Sequence, residues 1–435
     1  MTRGAEAGTR SDEARVGLVT AAGPQGVRPL PRAVWAALVF APLLGWLSTL
    51  CMLASALWVL RSGGIGTPAR RTLGEPARWL TLVALAWWLT LLAGDLLAVP
   101  APDRVGWWAD LRLLLVILPA CVLVPMFGNA GITYSQIGRW ASLSVWATAG
   151  VIALEYGFVV QWAGLVHYRP RALAGNALFV STMLVPMMML AWLDETGPGR
   201  NAWIRPWATH ATGIVCLGAL LGARASTLMA LALLPLALWW LGHGRGGWQR
   251  AGMALLACAA TAGLLALLGP HLSVWYGQRW AAIAGLMTGA MTGAEWPHVT
   301  DYGIATRALH WPAAWQAFLE RPWLGHGFRN EAAVLALHLP AGTPVLPTAH
   351  QQYLSFLLWS GIPGLVTGCL LVALPLLLAW KEHRGRCGMY AAAALSVPLM
   401  LHGLTDTVLD DLRIVSYHLM MTVMLHTAVE PEPRT

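Results

Sequence analysis

The stretch IPGLVTGCLLVALPLLLAW, from Ile362 to Trp380, contains no charged residue. An apolar run of about 18 residues or more with few charges is long enough to cross a bilayer as a single helix. Such runs recur at 33–60, 79–97, 111–127, 138–164, 172–193, 207–222, 226–241, 251–268, 362–380, 387–404 and 413–428. They predict an all-α polytopic membrane protein. The composition agrees: 57% of the residues are hydrophobic and only 11% are charged, against roughly 25% charged in soluble domains.

The run at 33–60 leaves two possibilities. Its 28 residues would extend about 42 Å as one helix, long for one crossing and short for two. Two short passes broken near Pro42 and Gly45 give about 12 transmembrane helices in all and put the arginine-bearing tail inside. Residues 1–30 are polar and rich in glycine and arginine, with no apolar h-region before a small-residue cleavage site. They are expected to form a disordered cytoplasmic tail. The expected order is then a tail 1–30, an N-terminal transmembrane region 31–268, a large loop 269–361, a C-terminal transmembrane region 362–428 and a short tail 429–435.

The formal charge of +8 lies in short loops, which is what membrane topology requires, and it implies no nucleic-acid partner. Arg61, Arg70, Arg71 and Arg78 mark 61–78 as cytoplasmic. Arg245 and Arg250 do the same for 242–250, and Lys381, Arg384 and Arg386 for 381–386. Alternation puts 98–110, 165–171, 223–225, 269–361 and 405–412 on the opposite side. The six cysteines show no CxxC or metal-ligand spacing, which predicts neither a disulfide framework nor a zinc site.

The loop is too aromatic for a linker. Between 269 and 349 it holds Trp275, Trp280, Trp296, Trp311, Trp315 and Trp323. It reads as an ordered cap with tryptophan at headgroup level. At its end stand His350 and Gln351, then nine residues, then Gly361-Ile362-Pro363-Gly364. The spacer predicts a short helix ending at Gly361, with His350 held near the membrane surface. A histidine there can serve as a base near neutral pH; an interfacial histidine that caps a helix is the structural alternative.

Several arginines fall on the external side. Arg224 sits in a break between two apolar runs, Leu221-Gly222-Ala223-Arg224-Ala225-Ser226. At membrane depth an arginine costs about 2.5 kcal/mol or more and marks function by default; a snorkelling arginine is the alternative. Arg307 precedes Arg321-Pro322-Trp323-Leu324-Gly325-His326-Gly327-Phe328, where Gly325 and Gly327 allow a tight turn close to a ligand. Arg171, with Arg169 beside it, stands before Gly175-Asn176; binding of lipid phosphate alone is its alternative. His402 and Asp406 share a helix face at i, i+4 and read as a structural hydrogen bond, with catalysis the alternative. Guanidinium groups fork onto phosphate oxygens at every relevant pH. With no Asp-x-Asp pair on the external side, the set favours a metal-independent transferase acting on a diphosphate.

The histidine, amide, helical spacer and Gly-x-x-Gly resemble the signature of the O-antigen ligase family. The run from Pro322 to Phe328 resembles the Pro-x-x-Gly-x-Gly-x-x-x-Phe run of the wider ligase and polymerase superfamily, shortened before the aromatic. Arg307 and Arg224 stand where that superfamily carries arginines, although Ala225 separates Arg224 from Ser226 where an Arg-Ser pair is usual. The resemblance implies a bacterial inner-membrane glycosyltransferase of the GT-C type with a periplasmic active site. It implies transfer of an O-antigen glycan from undecaprenyl diphosphate to a sugar of the lipid A–core, with inversion and without a cofactor or metal. His350, Arg224 and Arg307 would be catalytic, and Arg171, Arg169, Gln351, Gly325 and Gly327 would bind substrate. An O-antigen polymerase and a protein O-oligosaccharyltransferase are the alternatives within the superfamily. A secondary transporter is the alternative outside it, and no obvious internal repeat supports one.

Overall fold

A computed structural model describes residues 32–42, 47–61, 75–98, 104–123, 132–158, 177–196, 206–220, 302–328, 330–340, 343, 345–382 and 384–429, with the single positions 233 and 252. Among these the protein is all-helical, and the one pairing of extended backbone is an isolated bridge between Thr133 and Val429. The helices are α1 (Arg32–Val39), α2 (Leu47–Arg61), α3 (Glu75–Leu96), α4 (Arg104–Leu123), α5 (Tyr134–Tyr156), α6 (Ala177–Leu190) and α7 (Pro206–Ala219). After the loop region come α8 (Tyr302–Glu320), α9 (Glu331–His338), α10 (Gln352–Lys381), α11 (Arg386–Gly403) and α12 (Leu412–Thr427).

Among the described residues three helical segments are long and apolar enough to cross a membrane: Arg78–Leu96, Tyr134–Tyr156 and Gln352–Lys381. The run 33–60 is not one helix. It divides into α1 and α2 on either side of a turn at residues 40–42, and Pro42 accounts for the break because its ring removes a backbone donor. The expected spans 226–241 and 251–268 lie outside the described residues.

Helix α6 sits at the centre. From Phe179 to Leu193 every residue is buried, including Met183, Met187, Met188 and Met189. A helix that is apolar all round belongs in the interior. The outer helices divide their faces: α3 buries Leu80, Ala84, Trp87 and Leu91 while exposing Leu82, Leu89 and Leu96. The exposed leucines form the lipid-facing side expected of a membrane bundle.

Helix α10 organises the C-terminal half, packing against α3 and α11. It runs from Gln352, breaks at Ser360 (φ −146°) and Gly361 (φ +66°), and resumes toward Lys381. The sequence accounts for the break. Gly361, at φ +66° and ψ −155°, occupies a backbone region open essentially to glycine alone, and Pro363, which needs no backbone donor, suits the start of the next segment. A break inside apolar surroundings strands peptide groups, and the loop returns to satisfy them. The His326 amide donates to Leu358 O (2.6 Å), the Gly327 amide to Trp359 O (3.1 Å), and the Ile362 amide to Pro322 O (2.8 Å). The fit is backbone against backbone. A Cβ on Gly325, whose φ is +65°, would lie 2.5 Å from Ser360 N and 2.7 Å from Leu358 O.

Substitution of Gly325 tests this contact. Left-handed backbone costs an L-residue about 1–2 kcal/mol, and the clash adds to that, so Gly325→Ala should lower the thermal midpoint of the detergent-solubilised protein by several degrees. Gly150→Ala, in an open position on α5, is the control. Its midpoint should hold or rise, because alanine is the better helix former by about 1 kcal/mol. Equal midpoints for the two variants would contradict the packing account.

Candidate active site

The site is built around the N-terminus of α10. Gln351 is its N-cap, and its Oε1 accepts the Leu354 amide at 2.5 Å. Gln352 Oε1 accepts the amides of Val408 (2.8 Å) and Leu409 (2.7 Å), which ties α10 to the turn between α11 and α12. His350 precedes the cap with φ +51°, the one positive φ among the described non-glycine residues. Such backbone concentrates at functional sites, where the surroundings over-determine it. Here α8 supplies the restraint. The Trp311 indole donates to Ala349 O (3.0 Å), and His310 Nε2 accepts the Leu346 amide (3.2 Å).

The His350 side chain meets Asp406, with Nδ1 2.8 Å from Oδ1. Burial alone would raise the Asp406 carboxyl. The hydrogen bond and charge of His350, the charge of His402 and the Thr407 amide outweigh it and hold the carboxyl below its ordinary value. An ionised carboxylate only accepts, so Nδ1 carries a proton, and in the neutral imidazole the lone pair is then on Nε2. The side chain of His350 is 31% exposed and that of Asp406 12%. The imidazole therefore has a buried, anchored edge and an accessible one. Among catalytic arrangements this is the geometry of a histidine base oriented by a carboxylate.

Arg307 reaches the same turn. Its Nε and Nη2 both donate to Thr405 O, at 3.3 and 3.1 Å. The turn after α11 thus brings together two sequence-predicted residues, His350 and Arg307, through adjacent positions, Asp406 and Thr405. The other candidates are placed differently. Gly325 and Gly327 are buried against the α10 break and against Asp95, respectively. Gln351 uses its side-chain oxygen as a helix cap. Arg224, Arg171 and Arg169 lie outside the described residues.

One expectation is corrected. Spacing of i, i+4 predicted a hydrogen bond between His402 and Asp406, but His402 Nδ1 bonds Thr182 Oγ1 at 3.0 Å. Asp406 turns instead to His350 and is capped by the Thr407 amide at 2.9 Å. The backbone keeps the i, i+4 relation, with the Asp406 amide donating to His402 O at 3.0 Å, but α11 ends at Gly403 and the Asp406 side chain follows the turn toward His350. The sequence placed Asp406 in the external segment 405–412 but gave no signal of its partner, which is 56 residues away.

Fold and site together define a helical protein with membrane-capable helices and a histidine–carboxylate pair between the N-terminus of α10 and the α11–α12 turn. Residues 211–369 match the family model described as O-antigen ligase, a family of membrane glycosyltransferase-like enzymes. The match contains Arg224, Arg307, Gly325, Gly327, His350 and Gln351, whereas Asp406, Arg169 and Arg171 lie beyond it. No curated protein and no solved structure matches the chain.

The lowered Asp406 carboxyl predicts a pH dependence of stability. A carboxylate whose folded pKa is depressed contributes fully above its ordinary value, about 3.9. That contribution is lost as pH falls through the lower folded value. The thermal midpoint of wild type should exceed that of Asp406→Asn at pH 7, and the two should converge as pH is lowered toward 3. A difference that stays constant across that range would mean that the ionised carboxylate is not what holds the turn to His350.

Proposed function

We propose that the protein is an O-antigen ligase of the bacterial inner membrane, with about 12 spans, a GT-C-like architecture and the segment 269–361 on the periplasmic side. It transfers an O-antigen glycan from undecaprenyl diphosphate to a terminal sugar of the lipid A–core in lipopolysaccharide biosynthesis. The observation that carries this reading is the His350–Asp406 pair beside Arg307, with His350 and Arg307 inside the stretch that matches the family and Asp406 brought to them from beyond it. The Gln-x9-Gly-x-x-Gly context of His350 favours the ligase over a polymerase.

The reaction in this reading is an in-line displacement at the anomeric carbon. His350 Nε2 takes the proton from the acceptor hydroxyl. The oxygen attacks the anomeric carbon of the donor from the side opposite the diphosphate. The new glycosidic C–O bond forms as the bond from that carbon to the diphosphate oxygen breaks, and the diphosphate leaves with the electron pair. The anomeric centre inverts, and His350 returns its proton to solvent. Charge develops on the leaving diphosphate, and preorganised donors there stabilise the transition state. Arg307 and Arg224 are assigned that work, with Arg171 and Arg169 as further donor contacts. The two bonds from Arg307 to Thr405 fix its guanidinium plane, and apolar grooves between helices take the polyprenyl tail.

The phenotype of a null strain separates the readings. A ligase null has lost all glycan bands on the core and accumulates lipid-linked polymer. Retention of a single repeat on the core identifies a polymerase, and unchanged lipopolysaccharide with an unglycosylated protein acceptor identifies a protein O-oligosaccharyltransferase. In a purified transfer assay His350→Ala should lower the rate about 10²–10⁴-fold, the usual worth of a general base. Near-wild-type transfer by this variant would remove His350 from the mechanism. Arg307→Lys keeps the charge but loses the planar fork, so transfer should drop sharply at unchanged expression. Transfer should survive EDTA. Abolition by chelator with recovery on adding Mg²⁺ would replace the arginine clamp with a metal.

A further inference from the structure

Glu331 begins α9 and is 2% exposed. A buried carboxylate costs several kcal/mol unless it is hydrogen-bonded, and this one is met by three donors. Its Oε1 accepts the Ala349 amide at 2.6 Å and the Ser355 hydroxyl at 2.8 Å, and its Oε2 accepts the Trp359 indole N–H at 2.7 Å. Ser355 has committed its proton to Glu331, so the Thr407 hydroxyl donates to Ser355 Oγ across 3.0 Å.

These partners flank the reactive pair on both sides. Ala349 is the residue before His350, and Thr407 is the residue after Asp406. The Ala349 carbonyl is held separately by Trp311, so both peptide groups that set the entry into His350 are fixed. Burial pushes the Glu331 carboxyl up, while the Ala349 amide, the Ser355 hydroxyl, the Trp359 indole and the charge of His350 pull it back in part. All three hydrogen-bond partners donate, which is the arrangement an acceptor-only group requires.

We propose that Glu331 is a positioning residue for His350: through Ala349 it holds the strained backbone that presents the imidazole, and through Ser355 and Thr407 it holds the turn that presents Asp406. This rests on the reading of His350 as the base, and Glu331 itself touches no substrate. Its effect should fall on kcat rather than on donor KM, because a small misplacement of a reacting group costs on the order of 10²-fold in rate.

The test uses the full-length protein in detergent, with lipid-linked glycan and lipid A–core isolated from the source bacterium. Glu331→Ala should lower kcat about 10²-fold and leave donor KM within about twofold. Hydrogen–deuterium exchange should accelerate in the peptide spanning residues 346–351 and stay unchanged in α11 and α12. Glu331→Gln sets its amide N–H against the Trp359 indole N–H. Glu331→Gln/Trp359→Phe removes that conflict while keeping acceptors for Ala349 and Ser355, so it should recover kcat to within about tenfold of wild type. If Glu331→Ala does not fold, the Gln/Phe pair and Ser355→Ala carry the test. Ser355→Ala cuts the link from Glu331 to Thr407 but leaves Glu331 bonded to the Ala349 amide and the Trp359 indole, and it should lower kcat several-fold. Wild-type kcat and exchange in Glu331→Ala overturn the proposal, as does a KM effect without a kcat effect. Retained transfer by His350→Ala overturns the base reading instead. In that case the exchange at 346–351 still reports on the role of Glu331 in holding the backbone.

Discussion

The break in α10 at Ser360 and Gly361 is the constraint on which the rest of the structure depends. In apolar surroundings a peptide group without a partner costs several kcal/mol, so irregular backbone survives only where protein covers it. Here the cover is the turn 321–328, whose amides at His326 and Gly327 and whose carbonyl at Pro322 take up the groups freed by the break. Close approach is possible because Gly325 and Gly361 offer no side chain to either backbone. Asp95 of α3 closes the arrangement by accepting the Phe328 amide. Turn, break and α3 are therefore one unit.

That unit fixes the first segment of α10, Gln352 to Trp359, as a short rigid rod with packed aromatics along it. Trp359 meets Phe328 and Phe356 edge to face, with centroids 4.5 and 5.7 Å apart. At the other end of the rod Gln352 grips the Val408 and Leu409 amides. The α11–α12 turn is positioned by this grip, and with it Thr405 and Asp406. Arg307 and His350 come from segments far apart in sequence and find their partners on consecutive residues of that turn. The precision of the pair thus comes from a scaffold in which each polar link is backbone-anchored, rather than from the two side chains alone.

Much of this was legible in the sequence, and what was missed has a physical reason. Apolar run length located the helices, because a bilayer imposes a minimum length that soluble folds do not. Thus 79–97, 387–404 and 413–428 lie within a few residues of α3, α11 and α12. The end of a short helix at Gly361 was readable because glycine and proline carry local backbone rules. Two kinds of feature were not. The packing of Gly325 against the α10 break depends on a contact between segments more than thirty residues apart. The pairing of Asp406 with His350 rather than His402 depends on where α11 stops, and helix ends are the least certain part of any periodicity argument. Glu331 was equally opaque, since a charged residue in a loop reads as solvated until its burial is known.

Two carboxylates lie close to His350, and their environments push them in opposite directions. Asp406 is bonded directly to the imidazole, and that bond and charge hold it below its ordinary value. Glu331 is fully enclosed and bonded only to neutral donors, so burial dominates and raises it. Groups pushed apart in this way usually divide the work. Asp406 is built to stay ionised and to stabilise charge on the imidazole as it takes a proton. Glu331 is built to hold backbone and hydroxyl groups still, and its interaction with His350 is the weakest of its contributions. An aspartate at the reactive edge and a glutamate behind it are therefore not redundant acids. In the proposed reaction the first sets the chemistry of the histidine and the second sets where the histidine is.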